Sequence, residues 1–149
     1  MDSLHYLIRK SSSNSNKNLD KLSQFFSQDE LNKLSEKSVS IVGTNGKTTT
    51  ATVLNNILSS NGLSTVLFTS PHLVSLNERI QVNKETIKDL ELDTGMQMIE
   101  LFENENNIVL GYFESIFLIA AKKFLDEGLD IFIAEAGIGG RLDTTSILN

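Results

Sequence analysis

The sequence predicts an α/β fold with a mainly parallel sheet flanked by helices. Three short β-branched or aromatic runs, 39–43, 64–69 and 130–135, read as buried strands. Apolar residues at helical spacing fill 48–60 and 112–125 between them. Strand–helix–strand followed by helix–strand is the α/β order, and right-handed crossovers make such strands parallel.

Taken in order, Leu4–Ile8 is mildly apolar and predicts a short helix, followed by the polar linker Ser11–Asn18. Apolar residues at 19, 22, 25, 26, 31 and 34 predict one helix across 19–34. Val39, Ile41 and Val42 form the first strand, which ends at Gly43. The helix after Gly46 carries Ala51, Val53, Leu54, Ile57 and Leu58, with Gly62 as its stop. Ser64–Thr69 is the second strand, ended by Pro71, and Arg79–Asn83 alternates as half of a hairpin. Ile87–Phe102 is a weaker helix in which Gly95 costs about 1 kcal/mol against alanine. In Tyr112–Leu125, Phe113, Ile116, Phe117, Ala120 and Phe124 share a face and Gly128 closes the helix. The last strand, 130–135, ends in the acid Glu135. These counts predict three core strands and reveal no internal repeat.

Composition narrows the function classes. The chain has 149 residues, 40% hydrophobic and 21% charged, which suits one globular domain. A net charge of −6 opposes a nucleic-acid partner, which requires a basic face. The absence of cysteine excludes disulfides, thiolate catalysis and cysteine-bound zinc. No apolar run reaches the ~20 residues of a membrane span, and Arg9, Lys10 and the Ser/Asn tract follow too short a patch for a signal peptide. The expected location is the cytoplasm.

Three segments carry chemistry. Gly43-Thr44-Asn45-Gly46-Lys47-Thr48 places a glycine turn between a buried strand and a helix. Such a turn aims backbone N–H groups at a phosphate chain, the helix N-terminus favours negative charge, and Lys47 reaches the outer phosphates. Thr48 or Thr49 then approaches a magnesium ion. Residue 41 is isoleucine where the longer G-x-x-x-x-G-K-[ST] spacing has glycine, so the loop is the shorter G-x-x-G-K-T form. A plain strand–turn–helix with a solvated Lys47 is the competing reading, and this context disfavours it.

Glu135 ends a buried strand and precedes the glycine-rich run Ala136–Gly140. In phosphate-loop enzymes a carboxylate at such a place holds the metal directly or through water. Alone, the segment fits a strand that simply ends in a polar residue equally well. Ser70-Pro71-His72 follows the second strand at the sheet edge where open α/β sheets bind ligands. Ser70 offers an oxygen to magnesium, and His72 and Arg79 are placed to orient an anion. A surface or packing histidine is the competing reading of His72.

Together these segments resemble the folylpolyglutamate synthase/dihydrofolate synthase branch of the Mur ligase superfamily. The matching stretches are Gly43–Lys47, Ser70–Val74 with Asn77–Ile80, Phe113-Glu114, and Glu135–Asp143. The phosphate loop fits Mur ligases in general, whereas the Ser-Pro-His loop and Gly-Gly-Arg-Leu-Asp point to the folate branch. The resemblance implies an ATP-dependent ligase that phosphorylates a substrate carboxylate and lets the amine of L-glutamate attack the acyl phosphate. It implies that Gly43, Thr44, Asn45, Gly46, Lys47, Thr48 and Thr49 hold ATP, with Lys47 catalytic. It implies Ser70 and Glu135 as magnesium ligands, and Gly111, Tyr112, Phe113, Glu114 and Leu142 as the lining of a pterin or folate pocket. An aromatic there suits a flat ring.

The chain departs from the family pattern at three places. Gly111 stands where the family has threonine, Ser146 where it has asparagine, and Ser15–Lys21 where it has a Gly-Leu-Glu-Arg-like segment. The resemblance further implies that 1–37 is a helical segment with a polar linker and 38–149 part of a central ATP-binding domain, truncated before its remaining ligands. The C-terminal glutamate-binding domain is absent on this reading, so the chain alone is expected not to ligate glutamate. Expected partners are small molecules, with no nucleic acid or membrane, and the full-length protein is expected to be a monomer. A Mur-type amino-acid ligase, favoured by Thr48-Thr49-Thr50, and a non-catalytic nucleotide-binding fragment are the alternatives.

Overall fold

Three parallel strands and an antiparallel hairpin form one mixed sheet in the computed structural model, which describes residues 19–137 and 143–148. The strands are β1 (Ser38–Ile41), β2 (Thr65–Phe68), β3 (Ile80–Val82), β4 (Glu85–Thr86) and β5 (Ile131–Glu135). Their order across the sheet is β1-β5-β2-β3-β4. β5 runs parallel to both β1 and β2, with Ile41 opposite Glu135 and Phe68 opposite Ala134. This register brings the C-terminal ends of all three parallel strands to one edge.

The sheet is larger than the three expected core strands. Arg79–Asn83 contributes β3, which pairs antiparallel with β2 and turns into β4 through Asn83 and Lys84, both at positive φ. Asn83 also accepts the Thr65 N–H through its side chain at 2.9 Å, anchoring the hairpin to the start of β2.

Among the described residues five α-helices flank the sheet: α1 (Leu19–Ser23), α2 (Gln28–Lys37), α3 (Lys47–Ser60), α4 (Asp89–Asn106) and α5 (Tyr112–Glu127). The single helix expected over 19–34 is therefore two. Ser27 is extended at ψ 163° and caps α2, its hydroxyl accepting from Glu30 N–H while Glu30 accepts from Ser27 N–H at 2.8 Å. That reciprocal pair starts a new helix and so interrupts the old one. α4 begins at Asp89 rather than at Ile87 and runs on to Asn106, beyond the expected 102. Glu91 accepts the Lys88 N–H at 2.8 Å at its start. The helix expected at Leu4–Ile8 lies outside the described residues.

α5 is the central helix. It packs on β2 and β5 and against α4, α2 and the 3-10 turn Thr144–Leu148. Ile116 through Ala121 and Phe124 are all buried, a fuller burial than one apolar face would give. Leu22, Phe26 and Leu34 from α1, α2 and the bend between them join the same core as Val66, Phe68, Phe117 and Phe132. On the opposite face of the sheet, among the described residues, only α3 covers the strands, through Ala51 against Leu67 and Ile133.

Gly95 is explained by packing. A Cβ there would stand 2.7 Å from Ile119 Cγ2, so glycine lets α4 approach α5 closely. Among the described residues no helix is long and apolar enough to cross a membrane.

Candidate functional site

The phosphate loop leaves β1 at the edge where β5 and β2 also end. Gly46 caps α3 at φ 76° and ψ 6°, a left-handed conformation that L side chains seldom adopt, which explains glycine here. No side chain caps the helix, and its first backbone bond runs from Thr50 N–H to Gly46 O at 2.9 Å. The N–H groups of the first turn thus have no intrahelical acceptor and point out of the helix end, the arrangement that suits an anion. Gly43, Thr44, Asn45 and Thr49 are exposed. Lys47 folds back over the loop and donates from Nζ to Gly43 O at 3.0 Å.

Glu135 is 2% exposed at the end of β5. Thr48 Oγ1 lies 2.9 Å from each of its carboxylate oxygens and donates to them. The Ser70 N–H donates to Glu135 Oε2 at 3.1 Å. Ser70, Thr48 and Glu135 come from three separate segments, and the parallel register of β1, β5 and β2 brings them together. It is the Ser70 backbone that touches Glu135.

The donor set fits magnesium. Among the described residues no group of three or more His, Cys, Asp or Glu could enclose a metal ion. What the site offers is one carboxylate with hydroxyl oxygens next to a phosphate loop. Magnesium takes such sets, using one or two carboxylates together with water and substrate phosphates.

The Ser-Pro-His loop, whose Ser70–Pro71 peptide is cis, is held by its own far end. Glu78 accepts N–H bonds from Leu73 at 2.9 Å, Val74 at 3.0 Å and Ser75 at 2.6 Å. These bonds, that from Leu73 first, hold the Glu78 carboxyl below the usual carboxylate range. Asn77 donates from Nδ2 to Ile87 O and to Asp89 Oδ1, both at 2.9 Å. Arg79 donates from Nε to His72 Nδ1 at 2.9 Å, and its Cζ stands 5.0 Å from the centre of the Tyr112 ring.

The predicted aromatic segment opens α5. Tyr112 is half-buried, and burial pushes its phenol above the ordinary value against the opposing charge of Arg79. Phe113 meets Phe68 edge-on at 5.2 Å and lies against Gly137, where a Cβ would come within 3.2 Å of its ring. Glu114 is buried and accepts the Gly111 N–H at 2.5 Å, which fixes the helix start. Gly111, Tyr112, Phe113 and Glu114 therefore form one compact element beside Arg79 and Gly137. Leu142 lies outside the described residues.

Sequence reasoning included the residues that brace these segments in the matching stretches but assigned them no role. Asp143 accepts Gly137 N–H at 3.0 Å through Oδ2 and both Thr145 N–H and Oγ1 through Oδ1, so it ties the end of β5 to the start of the 3-10 turn. Glu78 and Asn77 brace the Ser-Pro-His loop. The one local signal was Ser75-Leu76-Asn77-Glu78, a Ser-x-x-Glu spacing that marks a capped turn.

Fold and site together define a phosphate-loop α/β protein whose strand-end acid faces the loop. Comparison with known proteins narrows the class. No family model matches the sequence. The dihydrofolate synthase/folylpolyglutamate synthase of Buchnera aphidicola from Acyrthosiphon pisum is 40% identical over 109 residues, covering 73% of this chain and 26% of that protein. The crystal structure of the bifunctional folylpolyglutamate synthase/dihydrofolate synthase from Yersinia pestis matches with a TM-score of 0.83 and 34% identity, over 97% of this chain and 35% of that one. A structure of a bifunctional folylpolyglutamate synthase/dihydrofolate synthase with Mn, AMPPNP and L-glutamate bound matches with a TM-score of 0.85 and 32% identity, over 99% and 36%. The chain belongs to the folylpolyglutamate synthase/dihydrofolate synthase family. It spans about a quarter of the length of the curated relatives it matches.

Proposed function

We propose that this chain carries the ATP-handling part of a ligase that joins L-glutamate to a pterin-bearing carboxylic acid, dihydropteroate or a folate, in the cytoplasm. The observation that carries this reading is the meeting of Thr48, Glu135 and Ser70 at the mouth of the phosphate loop. A solved relative of the same fold that binds Mn, AMPPNP and L-glutamate supports it. On this reading residues 38–149 are part of a central ATP-binding domain and 1–37 a preceding helical segment. The partners are small molecules and the full-length protein is a monomer.

Each residue then has a task. The backbone N–H groups of Gly43–Gly46 and the first turn of α3 cradle the phosphates. Lys47 leaves Gly43 O for the outer phosphate and offsets the charge that develops as the phosphoryl group moves. Thr48, Ser70 and Glu135 hold magnesium, which when bound neutralises phosphate charge. The substrate carboxylate oxygen forms the new P–O bond while the bond to the ADP leaving group breaks. The amine of glutamate then attacks the acyl carbon, inorganic phosphate leaves, and a proton goes to solvent. Tyr112 and Phe113 offer aromatic surface to the pterin-bearing substrate.

The test is transfer of labelled L-glutamate to dihydropteroate or tetrahydrofolate by the protein that carries these residues, with ATP and magnesium. Labelled product that requires ATP is the expected result. Product without ATP, or none with any pterin acid, overturns the reading.

A further inference from the structure

Arg79 is 9% exposed, yet it lacks a counter-charge. Among the described residues its guanidinium has the neutral acceptor His72 Nδ1 and the face of Tyr112 as partners, and no carboxylate within ion-pair distance. By contrast, Lys122 and Lys123 sit far more in the open and pair with two acids each. A mostly buried charge is costly unless it is paired, and the terminal guanidinium nitrogens, which have no partner among the described residues yet are not fully buried, remain open to one. Only Nε is used. An Nδ1 that accepts carries no proton, so His72 orients the fork without neutralising it.

Position says what the fork is for. Arg79 O accepts the Thr69 N–H at 3.0 Å, so the residue lies directly across from the end of β2 and next to Ser70. Ser70 leads to Glu135 and Thr48, the phosphate side of the site. Tyr112, under the guanidinium, leads to Phe113, the aromatic side. An anion on Arg79 thus stands between a phosphoryl donor and an aromatic surface. That is where the carboxylate of an aromatic acid must lie if it is to be phosphorylated.

Resting on the function proposed above, we propose that the terminal nitrogens of Arg79 bind the reacting carboxylate of the aromatic acid substrate. The planar fork matches a carboxylate with two parallel bonds, which lysine cannot reproduce. Tyr112 and His72 hold the fork in register. Arg79 is then the residue that tells an acid substrate from its uncharged analogue.

The experiment measures binding of pteroate and of its primary amide to the full chain and to Arg79→Gln and Arg79→Lys. The parent is expected to prefer the acid by about 10- to 100-fold, the range of a charge-assisted pair. Arg79→Gln is expected to bind acid and amide alike, with ATP affinity unchanged, and Arg79→Lys to keep a reduced preference. Equal binding of acid and amide by the parent overturns this inference alone, leaving the pterin reading intact. Binding of neither overturns both. Should Arg79→Gln fail to fold, the Arg79 Nε–H resonance of the parent decides. A shift on adding pteroate supports the assignment. A shift with ATP and magnesium only, or with neither, overturns it.

Discussion

Two loops leave the same sheet edge and are built in opposite ways. The phosphate loop is exposed, spanned by one side-chain bond from Lys47 to Gly43 O and tied to β5 through Thr48 and Glu135, with a bare glycine cap on α3. The Ser-Pro-His loop is laced by Glu78 to three successive N–H groups, by Asn77 to the start of α4, and by Arg79 to His72. A loop that works through its backbone needs only the right dihedrals, because the N–H groups are already part of the chain. A loop that presents side chains has to fix where its backbone stands first. The difference predicts that side-chain changes in the first loop act on ligand chemistry, whereas changes at Asn77 and Glu78, which brace the second, act on order.

The largest effect is expected from Lys47→Ala. In the full-length protein that carries this segment, removing the only lysine of the loop is expected to lower the proposed ATP-dependent turnover by about 100-fold or more, with thermal unfolding unchanged. A steady-state assay beside a melting curve checks both halves. Glu135→Gln comes next. The amide keeps the shape but loses the charge, and its NH2 faces the donors of Thr48 or Ser70. The magnesium needed for half-maximal ATP binding is expected to rise about 10-fold, on the scale of a few charge-assisted contacts. Ser70→Ala should move the same titration less.

Gly46→Ala tests the backbone half of the comparison. No atom lies within 4 Å of an added Cβ, so the cost comes from φ 76° alone, about 1–2 kcal/mol by urea unfolding. Glu78→Gln should be the mildest. The carboxyl of Glu78 is held below its ordinary 4.5 by the backbone bonds from Leu73 and Ser75, against desolvation. Its contribution is therefore present above the unfolded value and is lost as pH falls through the lowered folded one. The melting temperatures of parent and variant should differ at pH 6 and converge below pH 4.5, and a constant gap would contradict the assignment.

The same contrast governs what could be read from the residues alone. Gly43, Gly46 and Lys47 announce their loop because the turn needs those residue types at that spacing. β1, β2 and β5 were legible as short β-branched runs, and α3 and α5 as periodic ones. The break before Ser27 was not, since apolar residues at 19, 22, 25, 26, 31 and 34 satisfy one helix as well as two. Its signal was the Ser27–Glu30 pair. The last turn of α4 has no apolar rhythm, only Glu-Asn-Glu-Asn, and so fell beyond the expected end. Asn77, Glu78 and Asp143 look like ordinary polar loop residues. Their acceptors and donors are known only once the chain has folded back on itself.

Gly95 and Ile119 form a single choice written at two places in the chain. With a Cβ at 95 the side chain at 119 has to shrink or swing away, because three of its carbons would lie within 3.1 Å. Alanine at 95 alone trades a helix-propensity gain of about 1 kcal/mol for overpacking that costs about 1–3. Shortening residue 119 beforehand turns the same replacement from harmful to acceptable. Substitutions at the two sites are therefore non-additive, and their order of arrival decides which sequences a drifting lineage can reach.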